Sequence, residues 1–328
     1  MTVPSLRPLG RTGLEVSPLG LGLAALGRPG YINLGHAGDI GPDRTVETME
    51  RRAHEVLDAA FDGGVRYFDA ARSYGRSEAF LASWLHRRGL EPRDVTVGSK
   101  WGYRYTAGWS VDAEHHEIKE HSLEMLQRQT GESRALLGEF LDLYQIHSAT
   151  LESGVLDNDE VLAELSKLAS EGVVIGLSTS GPRQMDVVRR ALDCALDGVN
   201  PFSCVQATWN PLETSVGPAL DEAHEAGWGV IVKEALANGR LTERGDAPVW
   251  FREEALSLGV AVDALAIAVA ISRPWVDVVL SGAATVGQLT SNLTALGIDL
   301  TEAQRSSLTA GAEDPNEYWD RRAALPWN

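Results

Sequence analysis

Cysteine is nearly missing from this 328-residue chain. Cys194 and Cys204 are the only two, with no CxxC spacing, which excludes a disulfide-stapled scaffold and points to a reducing, cytoplasmic setting. Basic residues are the minority, 29 Lys and Arg against 46 Asp and Glu, for a formal net charge of -17. A surface that acidic repels phosphate backbones, so nucleic acid is not an expected partner. No stretch approaches the ~18 uninterrupted apolar residues of a membrane helix, and the opening MTVPSLRPLGRTG has no apolar leader, so no membrane association is expected either. Fixed-period repeats and low-complexity tracts are absent. What is present, 44% hydrophobic and 23% charged residues, suffices to bury a full core.

Short β-rich runs recur along the chain, each followed by a longer segment with helical spacing. They are PLGLGL (18–23), VRYFDA (65–70), VTVGSK (95–100), LDLYQIHS (141–148), VVIGLS (173–178), SCVQATW (203–209), GVIVKE (229–234) and VDVVLSG (276–282). Between the first two, Ala53, Leu57, Ala60 and Phe61 recur at three- and four-residue steps before Gly63 and Gly64, the signature of a helix and its stop. Alternation of this kind predicts an α/β fold, a (β/α)8 TIM barrel, with residues 1–328 as one domain. RPLGRTGLEV reads as an N-terminal β-hairpin plugging the barrel bottom. The insertion 30–44 and the tail 313–328 are rich in Gly, Pro and aromatics and read as loops over the active-site mouth.

In such a barrel the site lies at the carboxyl ends of the strands. Those ends deliver Asp69, then Tyr74 in the following loop, Lys100, His147, Ser178 and Gln206. A phenol with a solution pKa of about 10 donates poorly at neutral pH, and an adjacent ammonium lowers that value. Lys100 is placed for this. Asp69 would hold Lys100 charged and aimed, and His147 would bind the substrate oxygen.

FDAARSYGRSE (68–78), the SK at 99–100 and LYQIHS (143–148) resemble the signatures of the aldo-keto reductases, in order and spacing, and the likeness runs on to SGAATVGQLTSNL (281–293). The resemblance implies a (β/α)8 barrel, a nicotinamide cofactor extended across the rim, and hydride transfer to an aldehyde or ketone. Tyr74 would be the general acid, Lys100 and Asp69 its partners, and His147 the group orienting the carbonyl. Carried over residue by residue, Gly22 and Leu23 pass the nicotinamide as backbone, Asp69 contributes to its site, Ser178, Thr179 and Gln206 hold its carboxamide, and Trp209 stacks on its ring. KEALANGRL (233–241) stands where the family often reads YSPL, so Lys233, Glu234, Leu236, Asn238 and Arg240 would face the pyrophosphate. Gly282, Ala284, Thr285, Gln288 and Asn292 would hold the adenosine end. Ala284 replaces an arginine that commonly grips the 2′-phosphate, a loss of ~1.5–3 kcal/mol, so NAD(H) is expected to compete while NADP(H) stays slightly ahead. The partner is a small carbonyl or alcohol. Two other readings stay open: an oxidative sugar or alcohol dehydrogenase, and a cofactor-binding sensor like the potassium-channel β subunits.

GLGLAA (20–25) satisfies GxGxxA, but Gly27, Pro29 and Gly30 follow at once and no helix can open there. HHEIKEH (115–121) lacks HExxH spacing and reads as a solvated helix, with no metal expected. Of the nine tryptophans, Trp84 and Trp275 read as packing, whereas Trp101, Trp109, Trp250, Trp319 and Trp327, together with Tyr31, stand as candidate substrate contacts.

Overall fold

The computed structural model describes residues 5–196 and 198–328. Residues 1–4, the start of the expected domain and of the opening segment read above, lie outside them. Eight parallel strands close into a barrel in sequence order: β1 (Leu19–Gly22), β2 (Tyr67–Asp69), β3 (Thr96–Trp101), β4 (Leu143–Ala149), β5 (Val174–Thr179), β6 (Cys204–Thr208), β7 (Gly229–Lys233) and β8 (Val278–Ser281). Each falls within, or one residue beyond, a run picked out by its β-rich composition. Helices lie between them. Val46–Asp62, capped by Thr45, buries Ala53, Val56, Leu57 and Ala60 on one face and ends at Gly63. Asn158 and Ser122 cap Asp159–Ser170 and Leu123–Leu137 in the same way.

Strand periodicity of two sorts the barrel interior into layers. Tyr67, Leu143, Cys204, Ile231 and Val278 form an apolar lower layer, and the hairpin Arg7–Pro8 with Glu15–Val16 presses Leu9 and Val16 against it from below. The expected bottom plug is therefore present. Tyr67 crosses this layer because β3 offers Gly98 there: a Cβ at Gly98 would stand 2.4 Å from the Tyr67 hydroxyl. Two residues further along the same strands, on the same face, come Asp69, Lys100, Gln145, Gln206 and Lys233, so the upper layer is polar and faces the mouth.

Three segments depart from expectation. The 115–121 segment is not a helix; Glu117–Lys119 pairs antiparallel with Tyr103–Tyr105 in a second hairpin at the mouth. Its residues alternate between neighbours, and His121 turns inward to the His147 carbonyl at 3.0 Å. The tail, expected as loop, contains the helix Pro315–Ala323, started by the Asp314 cap and Pro315 and held by buried Tyr318 and Trp319. The 30–44 insertion contains the short helix His36–Ile40. No single described helix is long and apolar enough to cross a membrane.

Candidate active site

The polar layer floors a cleft of about 570 Å³ at the carboxyl ends of the strands, walled by the 30–44 insertion, the 233–244 loop, the β8 loop and the tail. Asp69 is its hub. One carboxylate oxygen accepts from Gln206 at 2.9 Å, Tyr67 at 3.2 Å and Gln145 at 3.4 Å, and the other forms an ion pair with Lys100. Lys100 also donates to the Ala70 carbonyl at 3.0 Å, and its ammonium stands 4.8 Å from the Tyr74 ring centre. Tyr74 sits in the turn after β2, where Gly75 takes φ +61 and packs so closely on Gly27 that a Cβ would lie 2.4 Å from its carbonyl. The turn is thus clamped against the β1 loop. The Tyr74 hydroxyl meets His147 Nε2 at 3.4 Å, while His147 Nδ1 meets Ser73 Oγ at 3.2 Å.

Burial controls how these groups titrate. It lifts the Tyr74 phenol well above its usual value, with Asp69 adding to the rise and Arg28 pulling against it. The sequence reading expected the opposite shift from Lys100, but that ammonium is already engaged by Asp69. Burial also holds His147 well below its usual value, reinforced by Lys100, Lys233 and Arg28. The phenol is protonated and the imidazole neutral.

Of the residues singled out from sequence, Asp69, Tyr74, His147, Tyr31 and Trp327 line the cleft, with the Lys100 ammonium 4.8 Å from the Tyr74 ring centre. Gly22, Gln206, Lys233, Glu234, Leu236, Asn238, Gly282, Ala284, Gln288 and Asn292 line it too. The others are not brought there. Trp209 packs behind the wall against Trp275 and beneath Arg273. Ser178 uses its hydroxyl to accept from Ser148 N at 2.8 Å, fixing the bend after His147, and Thr179 faces Gln184. Arg240 turns to Glu313 and Asp246. Thr285 caps the helix Val286–Leu293, and Leu23 is buried in the core. Trp101 is fully buried, Trp109 donates to the Arg44 carbonyl, and Trp319 packs on Tyr318.

Sequence reasoning missed several lining residues. Arg28 lies within 4.7–5.1 Å of the ring centres of Trp327, Tyr31 and Tyr74, and pairs with Glu117 at 2.9 Å. Asp39 accepts from Arg244 at 2.6 Å and Gln288 at 2.7 Å. Arg322 binds Glu234 through two nitrogens. Arg28 alone had a local signal, a charge in the loop just after a barrel strand.

The model of the Aldo/keto reductase family matches residues 18–313. The chain belongs to that family. This aldo-keto reductase is 27% identical to L-galactose dehydrogenase of Arabidopsis thaliana over 90% of its own length and 89% of the relative's. It is 25% identical to norsolorinic acid reductase of Emericella nidulans, covering 91% and 78%. In fold it resembles the holo form of aldo-keto reductase AKR11C1 from Bacillus halodurans, with a TM-score of 0.70, 22% identity and coverage of 95% and 97%. The protein is an NAD(P)H-dependent oxidoreductase acting on small carbonyl or alcohol compounds. Its cleft fits a nicotinamide dinucleotide: Gln206 Oε1 and Asn238 Oδ1 are buried without partners. A Cβ at Gly282 would meet nothing nearer than 3.9 Å, leaving room for close backbone approach.

Proposed function

We propose that the enzyme reduces an aldehyde or ketone with Tyr74 as proton donor, in one domain spanning residues 1–328. The observation that carries this reading is the meeting of the Tyr74 hydroxyl with His147 at 3.4 Å above the Lys100–Asp69 pair. When bound, the nicotinamide supplies the hydride. That hydride would go to the substrate carbonyl carbon, and Tyr74 would give its hydroxyl proton to the carbonyl oxygen. Lys100 then stabilises the phenolate left behind, and Asp69 keeps Lys100 charged and aimed. Neutral His147 holds the carbonyl oxygen, and the wall made by Tyr31, the 30–44 insertion and the tail excludes water. Replacing Tyr74 by Phe should leave cofactor affinity unchanged and lower kcat about 10²-fold or more. Undiminished turnover in that variant would refute the assignment.

Gln206 and Asn238 offer acceptors to the cofactor, and Gly22 and Gly282 let backbone approach it. At the adenosine end Ala284 provides no guanidinium, and the Asp39 carboxylate stands on Gln288. Both features weaken recognition of a 2′-phosphate, so NAD(H) competes effectively with NADP(H). A second reading, oxidation of a hydroxylated substrate, is favoured by the Arg28–Glu117 pair and Tyr31 beside Tyr74, a polar lining suited to several hydroxyls, and by the likeness to L-galactose dehydrogenase. Comparing kcat/KM for sugars in the oxidative direction with that for aldehydes in the reductive one decides between them.

A further inference from the structure

We infer that Lys233 makes the protein discriminate between the two redox states of its cofactor, holding reduced nicotinamide more tightly than oxidised. The inference rests on the oxidoreductase reading above. Lys233 ends β7 on the same face as Ile231, which lies inside the barrel, so its side chain belongs to the polar floor. That side chain is only 14% exposed. Its ammonium donates to Thr208 Oγ1 at 2.9 Å, and the nearest carboxylate oxygen, on Glu234, is 3.9 Å away. Glu234 is itself bound by two nitrogens of Arg322 and by the Thr208 hydroxyl. Lys233 therefore has no carboxylate of its own. The other floor cation, Lys100, is matched by Asp69, and Arg28 on the wall is matched by Glu117.

The oxidised ring carries a positive charge that the reduced ring lacks. Hydride transfer requires that ring to touch the carbon whose oxygen faces Tyr74, and so to occupy the mouth above this floor. Lys233 and Arg322 share the single Glu234 carboxylate, and the excess positive charge of that trio repels one redox state and not the other, in surroundings where charges are poorly screened. The enzyme thereby loads the reduced cofactor in preference and sheds the oxidised product, a bias toward carbonyl reduction.

The test is equilibrium titration of the full chain with NADH and NAD+ separately, in wild type, Lys233→Met and Lys233→Arg. The ratio of the two Kd values is internally controlled, because a poorly folded fraction affects both equally. Met should lower the oxidised-to-reduced Kd ratio about tenfold, whereas Arg should keep it. Burial brings the Lys233 amine down to about 8, so the wild-type ratio should also shrink between pH 7 and 9.5 while that of Met stays flat. The groups facing Lys233 are Asp69 from β2, Lys100 from β3, His147 from β4, Gln206 and Thr208 from β6, Glu234 beyond β7, and Arg322 from the tail helix. Of these, His147 is held well below 6.5, Glu234 at about 2, and Arg322 above its usual value, outside that window. An unchanged ratio in Lys233→Met overturns the inference alone. Failure of wild type to bind either form, with NADPH and NADP+ failing in the same titration, overturns the reading of this cleft as the cofactor site.

Discussion

Tyr74 and His147 touch at 3.4 Å, and burial keeps each in its neutral form. Loss of a phenolic proton from so buried a group is unfavourable unless a cation compensates, and Lys100 and Arg28 stand 4.8 and 5.1 Å from the ring centre. The acid is thus strong only while the oxygen it protonates is being formed. On the cofactor placement proposed above, selectivity at the other end of the cleft rests on a similarly local contest. Arg244 is the guanidinium in reach of the adenosine end, but Asp39 engages it at 2.6 Å. Changing Asp39 to Asn removes the competing charge and frees Arg244 for a phosphate. The ratio of NADH to NADPH Kd values should then rise about tenfold in favour of NADPH. A ratio equal to that of wild type would mean that this end does not read the 2′ position.

The tail helix Pro315–Ala323 is held chiefly by what it buries. The Tyr318 hydroxyl accepts from Asn210 Nδ2 at 2.9 Å, Trp319 packs under Arg322, and Arg322 binds Glu234 at the mouth. Glu234 adopts φ +56, a costly conformation for a residue with a side chain, and the ion pair is what over-determines it. Replacing Arg322 by Met would leave a buried carboxylate without its partner, a loss of ~3–5 kcal/mol. Denaturant unfolding should show that loss, and limited proteolysis should cut first near residues 313–328; an unchanged midpoint would place the helix's anchorage in its apolar contacts instead. The β3 hairpin, Tyr103–Tyr105 with Glu117–Lys119, is the matching element on the opposite wall, where Glu117 holds Arg28.

Acid sensitivity belongs to the molecule as a whole. His36 and His121 are pulled down to about 4 by burial, and His147 lies well below its usual 6.5. An unfolded chain binds protons at these sites below pH 6.5 while the folded one does not. Their contribution to stability is therefore full above pH 6.5 and is lost as pH falls toward 4. Asp142, pushed up to about 7 by burial, works in the opposite direction and offsets part of it. Asp277 and Glu213, also raised by burial, add to that offset, and the expectation is a lower urea midpoint at pH 4.5 than at pH 7. A midpoint constant across that range would show that these imidazoles ionise within the fold.

Much of the barrel was legible because strand composition and period are local properties. Residues such as Tyr67 and Asp69, or Ile231 and Lys233, share a face whatever the rest of the chain does, so the polar floor follows from position along each strand. The tail helix and the β3 hairpin were not legible, since short polar segments acquire their structure from what they pack on: Tyr318 and Trp319 for one, Arg28 and His147 for the other. Trp209 shows the same limit, for its place after β6 suited a stacking ring, yet its side chain turned to Trp275. The amino-acid sequence by itself determined the eight strands and the placing of Asp69, Tyr74, Lys100 and His147 at or just beyond their ends. Tertiary structure alone decided which loop charges converge, Asp39 on Arg244, Glu117 on Arg28 and Glu234 on Arg322, and left Lys233 to share Glu234 with Arg322. Distance between charges and their removal from water are properties of the folded chain, and they set the sign of every shift in this cleft.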